Sequence, residues 1–133
     1  MRKLFVLAAL AFTAACGDSS TSVSSISGTY NLQTVNGSSL PYVFQAANPK
    51  IEIISEQLVL SSNSTFSLTD QERTTPTGGS PTTQAFTETG TWTLSGSTIT
   101  VVFASDASRS SGTVSGNTIS IAETGFNLVF LKQ

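Results

Sequence analysis

Phe86-Thr87-Glu88-Thr89-Gly90-Thr91-Trp92-Thr93-Leu94-Ser95-Gly96-Ser97-Thr98-Ile99-Thr100-Val101-Val102-Phe103 is the stretch that decides the fold. Phe86, Trp92 and Leu94 alternate with Thr87, Thr89, Thr91 and Thr93. After a tight turn at Ser95-Gly96, Ile99, Val101 and Phe103 lie at every second position. A period of two puts one set of side chains on each face of a pleated strand, so the stretch reads as a hairpin with one apolar and one hydroxyl-rich face.

The same rhythm runs outward in both directions. Ile26, Gly28, Tyr30 and Leu32 share a face, and Val35-Asn36-Gly37 reads as a strand end and turn. Tyr42 to Ala46 forms a short segment. Ile51 and Ile53 have one parity and Leu58 and Leu60 the other, so a bulge or a break is expected near Ser55-Glu56. Phe66 and Leu68 continue the pattern, and Thr74 to Thr83 reads as a long polar loop. Beyond a turn region at Asp106 to Ser111, Val114 leads through Ser115-Gly116-Asn117 to Ile119 and Ile121. Gly125 opens a last strand with Phe126, Leu128 and Phe130. The chain is therefore expected to be all-β, a small antiparallel up-and-down barrel of eight or nine strands. Closure removes the edges that invite aggregation. A two-sheet sandwich competes, but consecutive hairpins without a long crossover favour the barrel.

Ahead of this domain stand Arg2 and Lys3, an apolar run from Leu4 to Phe12, and Thr13-Ala14-Ala15-Cys16. These are the three parts of a secretory signal peptide. The apolar run is far shorter than the roughly 20 residues that span a bilayer. The segment resembles a bacterial lipobox, which implies diacylation of Cys16 and cleavage before it. An ordinary leader cut after Ala15, leaving a free thiol, is the alternative. The expected organisation is a signal peptide over 1–15, a lipidated flexible tether over 16–25 and a barrel domain over 26–133. By the same resemblance, Gly17 after the cysteine favours the outer membrane of the cell envelope.

Loss of the leader leaves four basic residues against eight acidic ones, which argues against nucleic acid or anionic lipid headgroups as partners. The chain has no histidine, and its one cysteine lies in the lipobox. The usual nucleophile–base pairs and nitrogen–sulfur metal sites therefore cannot be built, and neither an enzyme nor a cofactor is expected.

Gly28-Thr29-Tyr30-Asn31-Leu32, Val35-Asn36-Gly37 with Leu40-Pro41, Gly90-Thr91-Trp92 and Leu128-Val129-Phe130-Leu131-Lys132 together resemble the bacterial lipocalin-like domain lipoproteins. In lipocalins proper the first strand carries Gly-x-Trp, and a late basic residue packs over the ring. Here Tyr30 stands in the tryptophan's place and Lys132 is the late basic residue. The resemblance implies a calyx for a small apolar molecule. It also implies that Lys132 lies close to Gly28 and Tyr30 if the first and last strands pair.

Tyr30, Phe66, Phe86, Trp92, Phe103 and Phe126 are the candidate ligand-binding residues; with Leu32, Phe44 and Phe130 they are also the bulky candidates for the interior. An eight-stranded barrel can fill itself with side chains or hold one small ligand. Asp70, Glu72 and Glu88 share the parity of the inward rings at the end nearest 74–83. Three roles stay open for them: an acid pair about 5 or 6.5–9.5 Å apart for glycoside hydrolysis, a Ca²⁺ site, or solvation of a hairpin that projects past the barrel. Glu52 and Glu56, beside the expected bulge, read as surface charges. Two functions are thus carried forward: a tethered binding module for a small apolar ligand, and a structural or protein-interaction module of the envelope with a filled core.

Overall fold

The computed structural model describes residues 22–133. The signal peptide, Cys16 and most of the tether lie outside the described residues. Residues Val23–Ile26 form a helical turn (α1). The strands that follow are β1 (Gly28–Val35), β2 (Ser38–Ser39), β3 (Tyr42–Gln45), β4 (Lys50–Leu60) and β5 (Thr65–Thr75). After these come β6 (Thr82–Ser95), β7 (Thr98–Phe103), β8 (Arg109–Ser115), β9 (Thr118–Glu123) and β10 (Phe126–Lys132).

From β4 to β10 each strand pairs antiparallel with the next, and β1 closes the sheet by pairing with both β10 and β4. Eight strands thus make the barrel, as expected, with β2 and β3 as short additions. The sandwich alternative falls, because β1 leaves no gap between its two neighbours: Tyr30 lies opposite Lys132 on one side and Leu58 on the other.

The alternation translates directly into burial. Tyr30, Leu32, Leu58, Leu60, Phe66, Trp92, Ile99, Val101, Phe103, Ile119, Ile121, Leu128 and Phe130 converge in one core. They concentrate at the end where the chain enters. There Ile26 tucks beneath the strands, the Tyr30 hydroxyl donates to the Ile26 carbonyl at 2.6 Å, and Lys132 Nζ donates to the Ser25 carbonyl at 2.9 Å. Lys132 also lies 5.8 Å from the centre of the Tyr30 ring, a contact worth about 0.5–1 kcal/mol when exposed. Gly28 leaves room for it: a Cβ there would sit 2.7 Å from Lys132 Cε. Trp92 is fully buried and donates from Nε1 to the Ser61 carbonyl at 3.1 Å, bracing the β4–β5 turn. This end of the barrel is closed and solid.

The other end differs from the sequence expectation. Thr74 to Thr83 is not one long loop: β5 runs to Thr75 and β6 starts at Thr82, so only 76–81 turn. Threonine favours the pleated backbone, and cross-strand pairing continues as far as partners exist. β6 parts from β7 at Gly90, which is paired with Phe103, while β5 and β6 continue together past that point. Likewise β4 pairs with β1 only over Gln57–Leu60 and with β3 over Ile51–Ile53. Above the barrel, β3, β4, β5 and β6 therefore form a four-stranded tongue. Its tip is tied down by a hydrogen bond from the Thr77 hydroxyl to Asn48.

Between the two halves β4 carries the expected bulge, at the register shift between Ile53 and Ser55. The shift separates two buried acids. Glu52 lies on the outer face, only 6 % exposed, held by Lys50 at 2.8 Å and by Arg73 at 2.9 Å. Glu56 lies on the inner face, 8 % exposed. Neither is the open surface charge expected from sequence: the first is covered by its two cations, and the bulge turns the second inward.

The divergence of β6 from β7 depends on Gly90. A Cβ at this position would meet the Val102 carbonyl oxygen and sit 2.7 Å from the Phe66 ring, which itself packs edge-on to Phe103 at 5.4 Å. Backbone on one side and a locked ring on the other cannot both give way. Gly90→Ala is expected to lose about 1–3 kcal/mol by overpacking, read as a lower midpoint in chemical denaturation with unchanged slope.

Candidate functional site

Between the tongue and the β9–β10 rim lies an open cup of about 550 Å³. Its apolar wall is Phe44, Ile53, Leu68, Phe86, Phe126 and Leu128. Its polar lining includes Glu56, Asp70, Glu72, Glu88 and Glu123. Below it the interior closes to a nook of about 10 Å³ bounded by Phe66, Phe103 and Phe130, so the cup has a floor. A second recess of about 520 Å³ adjoins it, sharing Leu68, Glu88, Glu123 and Phe126 and adding Arg109.

The wall is set by two strands that sequence reasoning left unconnected. Phe44 on β3 stacks on Phe126 of β10, centroids 5.5 Å apart, and Tyr42 meets the same ring edge-on at 6.4 Å. Phe126 thus bridges tongue and barrel. Asn36, in the turn after β1, fixes the start of β10: its side-chain oxygen accepts from Asn127 N–H at 2.7 Å, and its amide donates to the Gly125 carbonyl at 3.2 Å. Phe44 and Phe86 remain 54 % and 44 % exposed, so they are lining residues and not core.

The six candidate ligand residues divide accordingly. Phe86 and Phe126 line the cup. Phe66 and Phe103 form its floor, with Phe103 also reaching the adjoining recess. Tyr30 and Trp92 are packed into the closed half and line neither the cup, the nook nor the recess. Phe44, Leu68 and Leu128 were not singled out as ligand residues, yet they share the wall.

All three acids chosen by parity, Asp70, Glu72 and Glu88, do face the cup, and Glu56 and Glu123 join them. Parity held the signal for both: Glu56 is in step with Leu58 and Leu60, and Glu123 with Ile119 and Ile121. Glu123 accepts from the Ser110 hydroxyl at 3.0 Å. Asp70 keeps one carboxyl oxygen buried with no hydrogen-bond partner. Burial pushes the Glu56 carboxyl up to about 8, helped by the charges of Asp70, Glu123 and Glu88. Burial, with the neighbouring Glu72, lifts Asp70 to about 6. On the outer face the hydrogen bonds from Lys50 and Arg73 hold Glu52 below the ordinary carboxylate range. Among the described residues no three carboxylates converge in a way that would hold a metal ion.

These shifts fix the sign of the pH dependence. The folded chain keeps the Glu56 proton, whereas the unfolded chain releases it near 4.5. Stability is therefore full below that pH, falls as pH rises, and levels off once the folded form also ionises near 8. Asp70 acts in the same direction between 3.8 and about 6. Glu52 acts oppositely: its contribution is full above 4.5 and is lost as acidification carries the pH from there down through its depressed folded value. Glu56→Gln is expected to be near neutral in stability at pH 4.5 and stabilising at pH 8, on the order of a few kcal/mol. Urea melts across this range check it; a pH-independent difference between variant and parent would show that the carboxyl does not hold its proton.

Comparison with known proteins agrees with the architecture. A search of curated proteins and a search of solved structures each gave no match. The family model of the lipocalin-like domain matches residues 26–121, from the buried Ile26 into β9. The closed eight-stranded meander agrees with that match. The chain belongs to the lipocalin-like domain family.

Proposed function

We propose that this protein is a lipid-anchored lipoprotein of the cell envelope that holds a small apolar ligand in the cup and catalyses no reaction. The observation that carries the reading is the cup itself: about 550 Å³, walled by three aromatic rings and three aliphatic side chains, at the open end of a barrel whose other end is packed solid. Ligand sites are concave, mostly apolar and largely preformed, in barrels typically at the mouth. The filled-core alternative describes the closed half only. The non-enzymatic reading is supported by the family and by a residue set without histidine.

The anchor rests on the lipobox around Cys16. Two or more acyl chains give stable attachment where one does not. Described chain begins at the closed end, where α1 packs under the barrel. The few residues between Cys16 and Ser22 reach at most about 20 Å when extended. Lipidation would thus keep the solid end near the bilayer and turn the cup away from it, with the outer membrane as the proposed site.

The neutral apolar dye N-phenyl-1-naphthylamine should brighten on binding the protein. Phe126→Ala should weaken it about tenfold, because the bridging ring supplies much of the wall. An unbrightened dye with the parent protein refutes the ligand reading. For the anchor, Cys16→Ser should abolish incorporation of radiolabelled palmitate and remove the protein from the outer-membrane fraction. Undiminished labelling refutes lipidation at this residue.

A further inference from the structure

We infer that the cup selects an amphiphilic organic cation, its apolar body against Phe44, Phe86 and Phe126 and its amine directed at Glu56. The inference rests on the ligand-binding reading and narrows its chemistry. Five of the eight acidic residues of the chain line this one opening, brought from four separate strands: Glu56 from β4, Asp70 and Glu72 from β5, Glu88 from β6 and Glu123 from β9. From β3 and β10 only apolar side chains, Phe44, Phe126 and Leu128, line it. No lysine or arginine of the described residues is among those that line the cup, and Arg109 of β8 lines the adjoining recess.

Crowded acids alone would be only a solvated rim. Glu56 is different. It is more than nine-tenths buried, it reaches both the cup and the nook beneath it, and no hydrogen bond or ion pair from a described residue satisfies its carboxyl. Burying a polar group without a partner destabilises a fold, and an aliphatic side chain here would pack with Leu58 and Leu128 at no such cost. The bulge in β4 nevertheless aims this acid at the floor of the cup. The orphaned oxygen of Asp70 is a second acceptor without a donor in the same lining. An ammonium group supplies the missing donors and the opposite charge, and ring faces of the wall favour a cation over a neutral group. A fatty acid or a phosphorylated ligand would bring a like charge to the same place.

Binding of an ammonium should expel the protons held by Glu56 and Asp70. Affinity should then rise with pH up to about 8, where Glu56 ionises unaided. An alkylamine remains protonated over that range, as lysine does.

Isothermal titration of the full-length chain with octylamine, octan-1-ol and octanoate separates head group from tail. The expected order is octylamine tightest, by at least about tenfold over octan-1-ol, with octanoate weakest. Protons should be released on octylamine binding, seen as a heat that changes with the ionisation enthalpy of the buffer. Glu56→Gln and, independently, Asp70→Asn should shrink the preference for octylamine over octan-1-ol. Equal or tighter binding of octan-1-ol or octanoate overturns the cation inference and leaves the ligand reading standing. Failure of all three probes overturns both. Displacement of octylamine by an equal concentration of calcium chloride would assign the acids to an inorganic cation, and overturns it too.

Discussion

The closure of the sheet through β1 is the constraint on which everything else depends. One eight-residue strand satisfies the edges of both β4 and β10, which would otherwise stand open as templates for pairing with other chains. Tyr30 sits where the three strands meet, opposite Leu58 and Lys132, and is completely buried. Its hydroxyl fastens α1, and Lys132 covers its ring while fastening the same turn. The closed end is thus held by contacts between the two ends of the domain.

The open end follows from the limit of that closure. β1 is short and β4 is long, so β4 outruns its partner and takes β3 instead. Around the change of partner the ladder shifts by one residue. The consequences are coupled: the tongue rises above the barrel, the cup opens between tongue and rim, and the acid at 56 swings from the outer to the inner face.

Charge is distributed to suit this division. Among the described residues the closed half holds no buried carboxyl, whereas the cup gathers five and leaves the deepest one unpaired. Outside the cup the opposite solution is used, Glu52 being clasped by Lys50 and Arg73 on the tongue's outer face. The contrast is informative because the two acids lie on one strand, four residues apart. A fold can satisfy a buried carboxylate with its own cations, and at Glu56 it does not. Local departures from polar satisfaction concentrate where a protein meets a ligand.

Much of this was legible in the chain itself. The alternation of Trp92, Leu94, Ile99, Val101 and Phe103 with hydroxyl residues determined strands, faces and core, because a strand side chain has only two directions to choose from. The parity switch before Leu58 marked the bulge for the same reason, and the lipocalin resemblance around Gly28-Thr29-Tyr30 and Lys132 implied the closing contact. Parity even put Asp70, Glu72 and Glu88 on the inner face. What it could not say was how far along the barrel axis each inward residue stands. Only the tertiary structure decided that Tyr30 and Trp92 plug one end while Phe86 and Phe126 border an opening at the other. Only pairing across the sheet carried β5 on to Thr75 and started β6 at Thr82, leaving 76–81 as the turn. Height along a barrel is set by the stagger and unequal lengths of strands far apart in sequence, and no local pattern contains it.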